Sequence, residues 1–129
     1  MAVGRPEELL KSVCNPVPLF HVYGLATGIL IPLMFGMTKV FPFYFPETVS
    51  TIKAIEKYKC ITMRGVPTQF IDILNHPEVK NHDLSSLKYI VVGASTVPPD
   101  LLVKLKEQLG ILDFIVGYGN ASKRFIQTI

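Results

Sequence analysis

The chain has 129 residues, of which 49% are hydrophobic and 18% are charged, and its formal net charge is +3. This length suits one domain, and the large apolar share excludes an intrinsically disordered chain. The basic residues are scattered rather than arranged in a stripe, so we expect no nucleic-acid partner. Cys14 and Cys60 lack the spacing of a metal site or a disulfide framework. We therefore predict reduced thiols, which suit an intracellular compartment.

The amino-terminal region argues against secretion, and one later segment is a candidate for membrane contact. Pro6 and the acidic pair after it interrupt the apolar stretch of a signal peptide, and acidic residues also disfavour a transit peptide. No charged residue occurs between Lys11 and Lys39, but a membrane-spanning helix needs ~20 apolar residues. His21, Pro32 and several glycines interrupt this span. We favour a buried helix of a globular fold, with a small membrane protein as the alternative.

The first half of the chain predicts two helices with a strand between them. An apolar helix is expected over residues 23–35, closed by Gly36 and kinked at Pro32. Residues 38–41 are a short β-prone run, which predicts a strand. A second helix is expected over residues 46–59, because its apolar residues recur at helical spacing.

The second half predicts three further strands that alternate with two helices. One helix begins at Pro67 and ends at His76, before a proline; the other follows Pro98 and ends at Gly110. The strands are expected at residues 60–63, 89–92 and 112–116. Regular alternation of helices with apolar strands is typical of an α/β fold. We therefore predict a partial parallel sheet with covering helices.

Glycine-containing turns follow three of the predicted strands. Ligands of open parallel sheets bind beyond the carboxyl ends of the strands, where glycine lets a ligand approach the backbone closely. Each turn alone has a structural explanation, because strand-to-helix turns often need glycine. Together, the turns at residues 64–68, 93–96 and 117–120 predict a ligand site at one edge of the sheet.

Four short segments follow one another in a specific order: residues 18–24, which read Pro-Leu-Phe-His-Val-Tyr-Gly, and residues 65–68, 92–95 and 117–119. In this order they resemble the adenylate-forming superfamily of acyl-CoA synthetases, luciferases and peptide-synthetase adenylation domains. The chain is most similar to medium-chain fatty acyl-CoA synthetases. The resemblance implies that residues 15–119 are a partial AMP-dependent synthetase/ligase domain, a fragment of the large amino-terminal domain of such an enzyme. Residues 1–14 and 120–129 are interpreted as divergent segments.

The resemblance implies that four residues lie on the acyl side of a substrate site. His21 matches a histidine that lies near the acyl substrate and helps to form its pocket. A lone histidine among aromatic residues is equally well explained as a core residue with satisfied hydrogen bonds. Val66, Pro67 and Thr68 match the loop and helix start that shape the acyl tunnel.

The resemblance implies that five further residues lie on the nucleotide side. Gly93, Ala94 and Ser95 match the segment that lines the adenine and the carboxylate of the substrate. Tyr118 matches the aromatic residue that stacks on adenine, and Gly119 permits the close approach of the base. The alternative interpretation of Tyr118 is an aromatic residue at the edge of the core.

The chain departs from the family pattern after Gly119. Members of the family read Tyr-Gly-x-Thr-Glu, in which the Thr binds phosphate and the Glu helps to hold magnesium. This chain has Asn120, Ala121 and Ser122 instead, and magnesium prefers carboxylate and phosphate oxygens. ATP, magnesium and coenzyme A are implied for the parent family, but we expect no productive binding here. We assign no catalytic residue and no metal ligand.

The sequence therefore predicts a fragment of a fatty acyl-CoA synthetase that is inactive alone. A complete enzyme of this class activates a fatty acid with ATP to acyl-AMP and transfers the acyl group to coenzyme A. The family implies fatty acid and ATP as substrates and a mitochondrial location, although no targeting segment is recognised. The alternative is a non-catalytic chain that holds an acyl group or associates with a full-length synthetase.

Overall fold

Six strands form one sheet through the centre of the molecule. They are β1 (Ser12–Cys14), β2 (Thr38–Val40), β3 (Thr62–Gly65), β4 (Tyr89–Gly93), β5 (Asp113–Asn120) and β6 (Lys123–Thr128). Their order is β2-β1-β3-β4-β5-β6; the first five are parallel, and β6 pairs antiparallel with β5. The computed structural model describes residues 11–42, 47–93, 95–120 and 123–128, except the side chains of residues 118–120 and 123–128. The predicted α/β fold with a parallel sheet and covering helices is confirmed.

The register of the strands decides which side chains share a face of the sheet. Successive residues of a strand point to opposite faces. Val13 pairs with Lys39 on β2 and with Thr62 on β3, and Arg64 pairs with Val91 on β4. These five side chains therefore belong to one face. The residues between them belong to the opposite face: Cys14, Met63, Ile90 and Val92.

Helix α1 covers the face that holds Val13. It runs continuously through an α-helical turn (Val22–Leu25), a π-helical segment (Ala26–Leu30) and a second α-helical segment (Ile31–Phe35). Pro32 explains the irregular middle, because proline lacks an N–H and its ring crowds the carbonyl group four residues earlier. The kink predicted at this proline thus takes the form of one π-helical segment.

Small residues bring α1 close to the sheet, while its outer side faces solvent. Gly24, Thr27 and Gly28 are buried, whereas Leu33 and Met34 are 79% and 75% exposed. The prediction of a buried helix is therefore wrong for its outer side, because the described part of the chain places no layer over it. Within the described residues, no helix is both long enough and apolar enough to cross a membrane.

Three further helices cover the opposite face: α2 (Thr48–Tyr58), α3 (Pro67–Asn75) and α4 (Pro99–Leu109), with a short 3-10 helix at Pro77–Asn81. Each is amphipathic and turns its apolar residues toward the sheet. The main core lies between them and the strands, and its most buried helical residues are Ile52, Ile55, Phe70, Ile73, Leu101 and Leu105. This side of the sheet, covered by α2, α3 and α4, is well packed, and we call it the thick side.

Residues in the left-handed conformation end three of the helices. Gly36 and Gly110 have φ angles of 62° and 67°, and both were predicted as helix ends. Lys59 ends α2 with φ at 49°, a conformation that costs a residue with a Cβ more than it costs glycine. The chain therefore uses the expected glycine signal twice and tolerates one strained cap.

The strand predictions differ from the structure at three places. β1 was not predicted, because three residues show no periodicity. The strand expected from Cys60 begins instead at Thr62, because the N–H groups of Cys60 and Ile61 first donate to Ile55 O at 3.1 Å and Ser12 O at 3.0 Å. β5 continues to Asn120 and pairs with the unpredicted β6. Residues 117–120 therefore lie within a strand rather than in a turn.

The two cysteines are free, as predicted, and the structure places both in buried positions. They lie on the thick side of the sheet within the main core. The hydrogen bond with Cys60 and the burial of the site raise the pKa of the Cys14 thiol well above its ordinary value. Cys14 is therefore a neutral core thiol at neutral pH.

Candidate functional site

The carboxyl ends of β3, β4 and β5 bring three glycines to one edge of the sheet. Gly65 is level with Val92, and Gly93 is level with Gly117. A Cβ atom on Gly93 would lie 2.9 Å from the carbonyl oxygen of Gly117, so the two backbones approach more closely than side chains allow. The predicted meeting of glycine-bearing strand ends is confirmed, although Gly117 lies inside β5 rather than after it.

The start of α3 forms one side of this edge. Val66 is the N-cap residue, and its N–H donates to Gln69 Oε1 at 3.0 Å. The amide of the same glutamine donates from Nε2 to the carbonyl oxygen of Pro16 at 3.4 Å. Gln69 thus joins the loop after β1 to the end of β3. Pro67 is buried and Thr68 is exposed at the first turn, so Thr68 is the accessible polar group of the predicted acyl segment.

Tyr23 fixes α1 to this edge, a role that the sequence did not reveal. Its hydroxyl donates to the carbonyl oxygen of Val91 at 3.1 Å. Burial raises the pKa of Tyr23 to about 12, against the opposing effects of the Arg64 charge and a backbone hydrogen bond from Gly65. The phenol therefore stays neutral and acts as a donor at neutral pH. The segment at residues 18–24 includes Tyr23 but does not indicate this contact, because its partner lies 68 residues away in the chain.

His21 caps the amino terminus of α1. It is exposed, and its Nδ1 accepts a hydrogen bond from the N–H of Tyr23 at 3.2 Å. The alternative interpretation as a core histidine is therefore wrong. Its own N–H donates to the carbonyl oxygen of Pro18 at 3.2 Å. The acyl-binding role implied by the family resemblance stays a prediction beside this structural one.

The change His21→Ala is expected to lower the free energy of unfolding by ~1 kcal/mol, because the helix loses its N-cap acceptor. His21→Asn, whose side chain also caps helices well, is expected to retain wild-type stability. Urea unfolding followed by circular dichroism measures both variants. Equal stability of the alanine variant and the wild type would show that the hydrogen bond to Tyr23 N contributes nothing.

The predicted nucleotide side is only partly described. Gly93 is buried at the end of β4, and Ser95 is exposed just beyond it. Ala94 and the side chain of Tyr118 lie outside the described residues. The backbones of Tyr118 and Gly119 pair with Phe125 and Arg124 of β6. The structure thus places the backbone of these residues in the sheet, and the adenine-binding role of Tyr118 stays a prediction.

A small cavity of about 40 Å³ lies on the thick side of the sheet, between α2 and α3. Glu47, Thr51, Gln69 and Asp72 supply its polar lining. It is large enough for ordered water but far too small for an acyl chain. Among the described residues, no group of three His, Cys, Asp or Glu side chains is placed to hold a metal ion.

Comparison with known protein families gives a match over nearly the whole chain. Residues 4–121 match the family described as AMP-binding enzyme. The matched range includes β1 to β5 and every residue predicted for the acyl and nucleotide sides. The family resemblance is therefore confirmed by an independent comparison.

Curated relatives include acyl-CoA ligases. The chain is 36% identical over 119 residues to the medium-chain acyl-CoA ligase ACSF2, mitochondrial, of Danio rerio, covering 92% of this chain and 20% of that protein. It is 35% identical over 107 residues to the putative acyl-CoA synthetase YngI of Bacillus subtilis, covering 83% of this chain and 19% of that protein. The chain thus spans about a fifth of the length of these relatives.

Solved structures of adenylate-forming enzymes share the fold. The anthranilate CoA ligase AuaEII, in complex with anthranoyl-AMP, matches with a TM-score of 0.76 and 25% identity, over 87% of this chain and 22% of that one. The O-succinylbenzoate coenzyme A synthetase MenE of Bacillus subtilis, with ATP and magnesium ion, matches with a TM-score of 0.75 over 98% of this chain and 25% of that one. At 22% identity the second match supports the fold alone.

Proposed function

This chain belongs to the AMP-binding enzyme family, and from that premise we propose that it is part of a fatty acyl-CoA synthetase. It carries one wall of the acyl pocket and one wall of the adenine pocket. The observation that supports this function is the meeting of Gly65, Gly93 and Gly117 at the carboxyl edge of three adjacent parallel strands. This is where open parallel sheets bind ligands, and the backbone there is free of side chains.

The residues of the proposed site divide between the two ligands. His21, Val66, Pro67 and Thr68 lie at the starts of α1 and α3, where an acyl chain would enter. Gly93, Ala94, Ser95, Tyr118 and Gly119 follow or extend β4 and β5, where the adenine and the carboxylate would lie. Fatty acid and ATP are the proposed substrates, and coenzyme A is the proposed acyl acceptor of the complete reaction.

We further propose that the 129 residues alone do not catalyse the formation of acyl-AMP from a fatty acid and ATP. Ala121 and Ser122 occupy the positions of the family's phosphate-binding Thr and magnesium-binding Glu. Neither supplies a carboxylate to neutralise the charge that develops on the transferring phosphoryl group, an effect often worth several kcal/mol. Binding without chemistry is therefore the expected behaviour of this chain.

The purified chain is expected to release no pyrophosphate from ATP, magnesium and octanoate above a control without protein. It is expected to bind a non-reactive octanoyl-adenylate analogue, with a sulfamoyl group in place of the phosphate, in titration calorimetry. Tyr118→Ala is expected to weaken this binding about tenfold, because stacking of a base on an aromatic ring contributes ~1–3 kcal/mol. Tyr118→Phe, which keeps the ring, should bind as the wild type does.

Two results would contradict this function. Turnover above the control would refute inactivity, and wild-type affinity in Tyr118→Ala would refute the adenine-stacking role. A mitochondrial location is part of the proposal, supported by the curated relatives named as mitochondrial ligases. Import into isolated mitochondria tests it separately.

A second candidate function is association with a full-length synthetase, favoured by the outer side of α1. Leu33, Met34 and the preceding Leu30 expose 79%, 75% and 53% of their surface, an apolar strip that monomeric proteins rarely leave uncovered. Co-purification of the two proteins, lost in the double variant Leu33→Asp, Met34→Asp, would support it. A monodisperse monomer that does not bind the full-length synthetase would refute it.

A further inference from the structure

Polar groups without partners lie buried between α1 and the sheet. They are both polar atoms of the Asn15 side chain, the Nζ atom of Lys39 and the Nε atom of Arg64. Each lacks a hydrogen-bond partner within the described part of the chain. An unsatisfied buried polar group costs ~1–3 kcal/mol, and a charged one costs more. Three such residues in one layer are an unusual concentration, and each buried polar group of this kind needs a partner such as an ordered water or a bound ligand.

The strand register places these three residues side by side. Cys14 pairs with Val40 on β2 and with Met63 on β3, so the next residue, Asn15, is level with Arg64. Lys39 and Arg64 belong to the same face of the sheet, on either side of β1. Asp113 is the only carboxylate of this face in β1 to β5, and it lies on β5, two strands beyond Arg64. Within β1 to β3, the cluster therefore combines two basic side chains with no carboxylate between them.

The side chain of Asn15 points at α1. It is 1% exposed, and a Cβ atom on Gly28 would lie 2.7 Å from its Nδ2. The Lys39 and Arg64 residues as a whole are only half-buried, so the cluster meets solvent on their side of the layer. Burial first, and the Arg64 charge second, lower the pKa of Lys39 to about 7. An anion at this position would restore its full charge.

The topology of the sheet puts the cluster where ligands bind. In the strand order β2-β1-β3-β4-β5, the chain passes from β1 to β2 on one side and then from β2 across β1 to β3 on the other side. The crevice at such a switch point is the usual ligand site of an open parallel sheet. Asn15 directly follows β1, and Arg64 is the next-to-last residue of β3, so both lie at the mouth of this crevice.

We propose that Asn15, Lys39 and Arg64 form a binding site for the carboxylate group of an organic acid, in the layer between α1 and the sheet. This site is separate from the residues assigned to the acyl and adenine pockets and does not depend on nucleotide binding. The ammonium, the guanidinium and the amide each donate to the carboxylate, and such charge-assisted hydrogen bonds are the strong ones. Arginine in particular matches the planar carboxylate.

The surroundings favour a carboxylate over a phosphate. Phosphate sites usually use a cradle of backbone N–H groups, but Pro16 and Pro18 remove two such groups from the loop after β1. Apolar atoms of Leu19 and Phe41 lie beside Gly28 in the same layer, where the hydrocarbon part of an acid would pack. Two sources of the carboxylate fit this chemistry: a free short acid, or the second carboxylate of a longer dicarboxylic acid.

Titration calorimetry at pH 7, without nucleotide and at constant ionic strength, distinguishes these sources. The probes are acetate, octanoate and octanedioate. Acetate binding that is lost in Arg64→Met would assign the site to a short free acid. Octanedioate that binds at least tenfold more tightly than octanoate, with the ratio near one in Arg64→Met, would assign it to a dicarboxylic acid. Lys39→Met is expected to weaken the binding of the same acids as Arg64→Met does.

Lys53→Met is the matched control, because it removes one exposed positive charge from α2 and leaves the cluster intact. It is expected to bind all three acids with wild-type affinity. The inference is overturned if acetate does not bind and octanedioate is no better than octanoate. It is also overturned if Arg64→Met binds as the wild type does. Neither result bears on pyrophosphate release or on binding of the adenylate analogue, so the proposed function is judged separately.

Discussion

Replacement of Gly24 by alanine is expected to lower the free energy of unfolding by about 3 kcal/mol or more. The new Cβ atom would lie 1.9 Å from the carbonyl oxygen of Pro18 and 2.7 Å from its carbonyl carbon. Both are backbone atoms, and that oxygen also accepts from His21 N, so neither can move without displacing the turn before α1. In an ordinary helix interior the change from glycine to alanine stabilises the protein by ~0.5–1 kcal/mol. A loss of stability would therefore indicate the close contact with Pro18.

Gly28→Ala in the same helix is the matched comparison. Its Cβ atom would meet Asn15 Nδ2 at 2.7 Å and Leu19 Cδ2 at 2.9 Å, which are ends of side chains that can give way. We expect a smaller loss than for Gly24→Ala. Urea unfolding curves, recorded by circular dichroism, rank the two variants. If Gly24→Ala were as stable as the wild type, α1 could not approach the loop at Val17 and Pro18 as closely as described.

Replacement of Lys39 by methionine is expected to raise the free energy of unfolding by about 2 kcal/mol at pH 7 in buffer without carboxylates. Burial first, and the charge of Arg64 second, lower the pKa of Lys39 from 10.5 to about 7. A shift of this size at a fully buried site would correspond to over ~4 kcal/mol. Partial contact with solvent reduces the effect.

The pH dependence of stability follows from the direction of this shift. Between pH 7 and pH 10.5 the unfolded chain holds the lysine proton while the folded chain has released it. The unfolded state then binds more protons, so wild-type stability rises with pH across this window. Lys39→Met lacks this contribution, and the difference between the two proteins should shrink toward zero as pH approaches 10.5. Other titrating groups are common to both proteins and cancel in the difference.

Denaturant unfolding at pH 7, 8, 9 and 10 measures the difference, with Lys53→Met as the control for an exposed lysine. The control is expected to remain within ~0.5 kcal/mol of the wild type at every pH. A Lys39→Met protein that is less stable than the wild type at pH 7 would show that the Lys39 ammonium is satisfied. The interpretation of the cluster as an unpaired cationic site would then fail.

Local sequence signals predicted the helix ends and the amphipathic helices, because these features depend on residues that are close together in the chain. Gly36 and Gly110 marked helix ends because the left-handed conformation there favours glycine. The helical spacing of apolar residues identified α2 and α4, because this spacing also depends only on nearby residues. β1 escaped prediction because three residues between a lysine and a proline-rich loop carry no period, and its place in the sheet depends on β2 and β3.

The candidate site was predicted in part for a similar reason. The glycines that end β3 and β4 were recognisable because a strand end that must admit a close neighbour excludes side chains. The cluster of Asn15, Lys39 and Arg64 was not recognisable, because those residues lie on three separate segments and meet only through the strand register. Tyr23 was likewise missed, since its hydroxyl finds its acceptor on β4. Contacts between distant segments leave no local pattern in a sequence.

The two sides of α1 are expected to tolerate substitution to different degrees. Gly24 is confined by backbone atoms of Val17 and Pro18, so almost any replacement there disturbs the turn before α1, and Gly28 is confined by side-chain ends. Leu30, Leu33 and Met34 touch solvent and can change without that consequence. If this chain adapts to a new binding partner, we therefore expect the substitutions on the solvent-facing side of α1. The buried side of α1 is expected to stay constant.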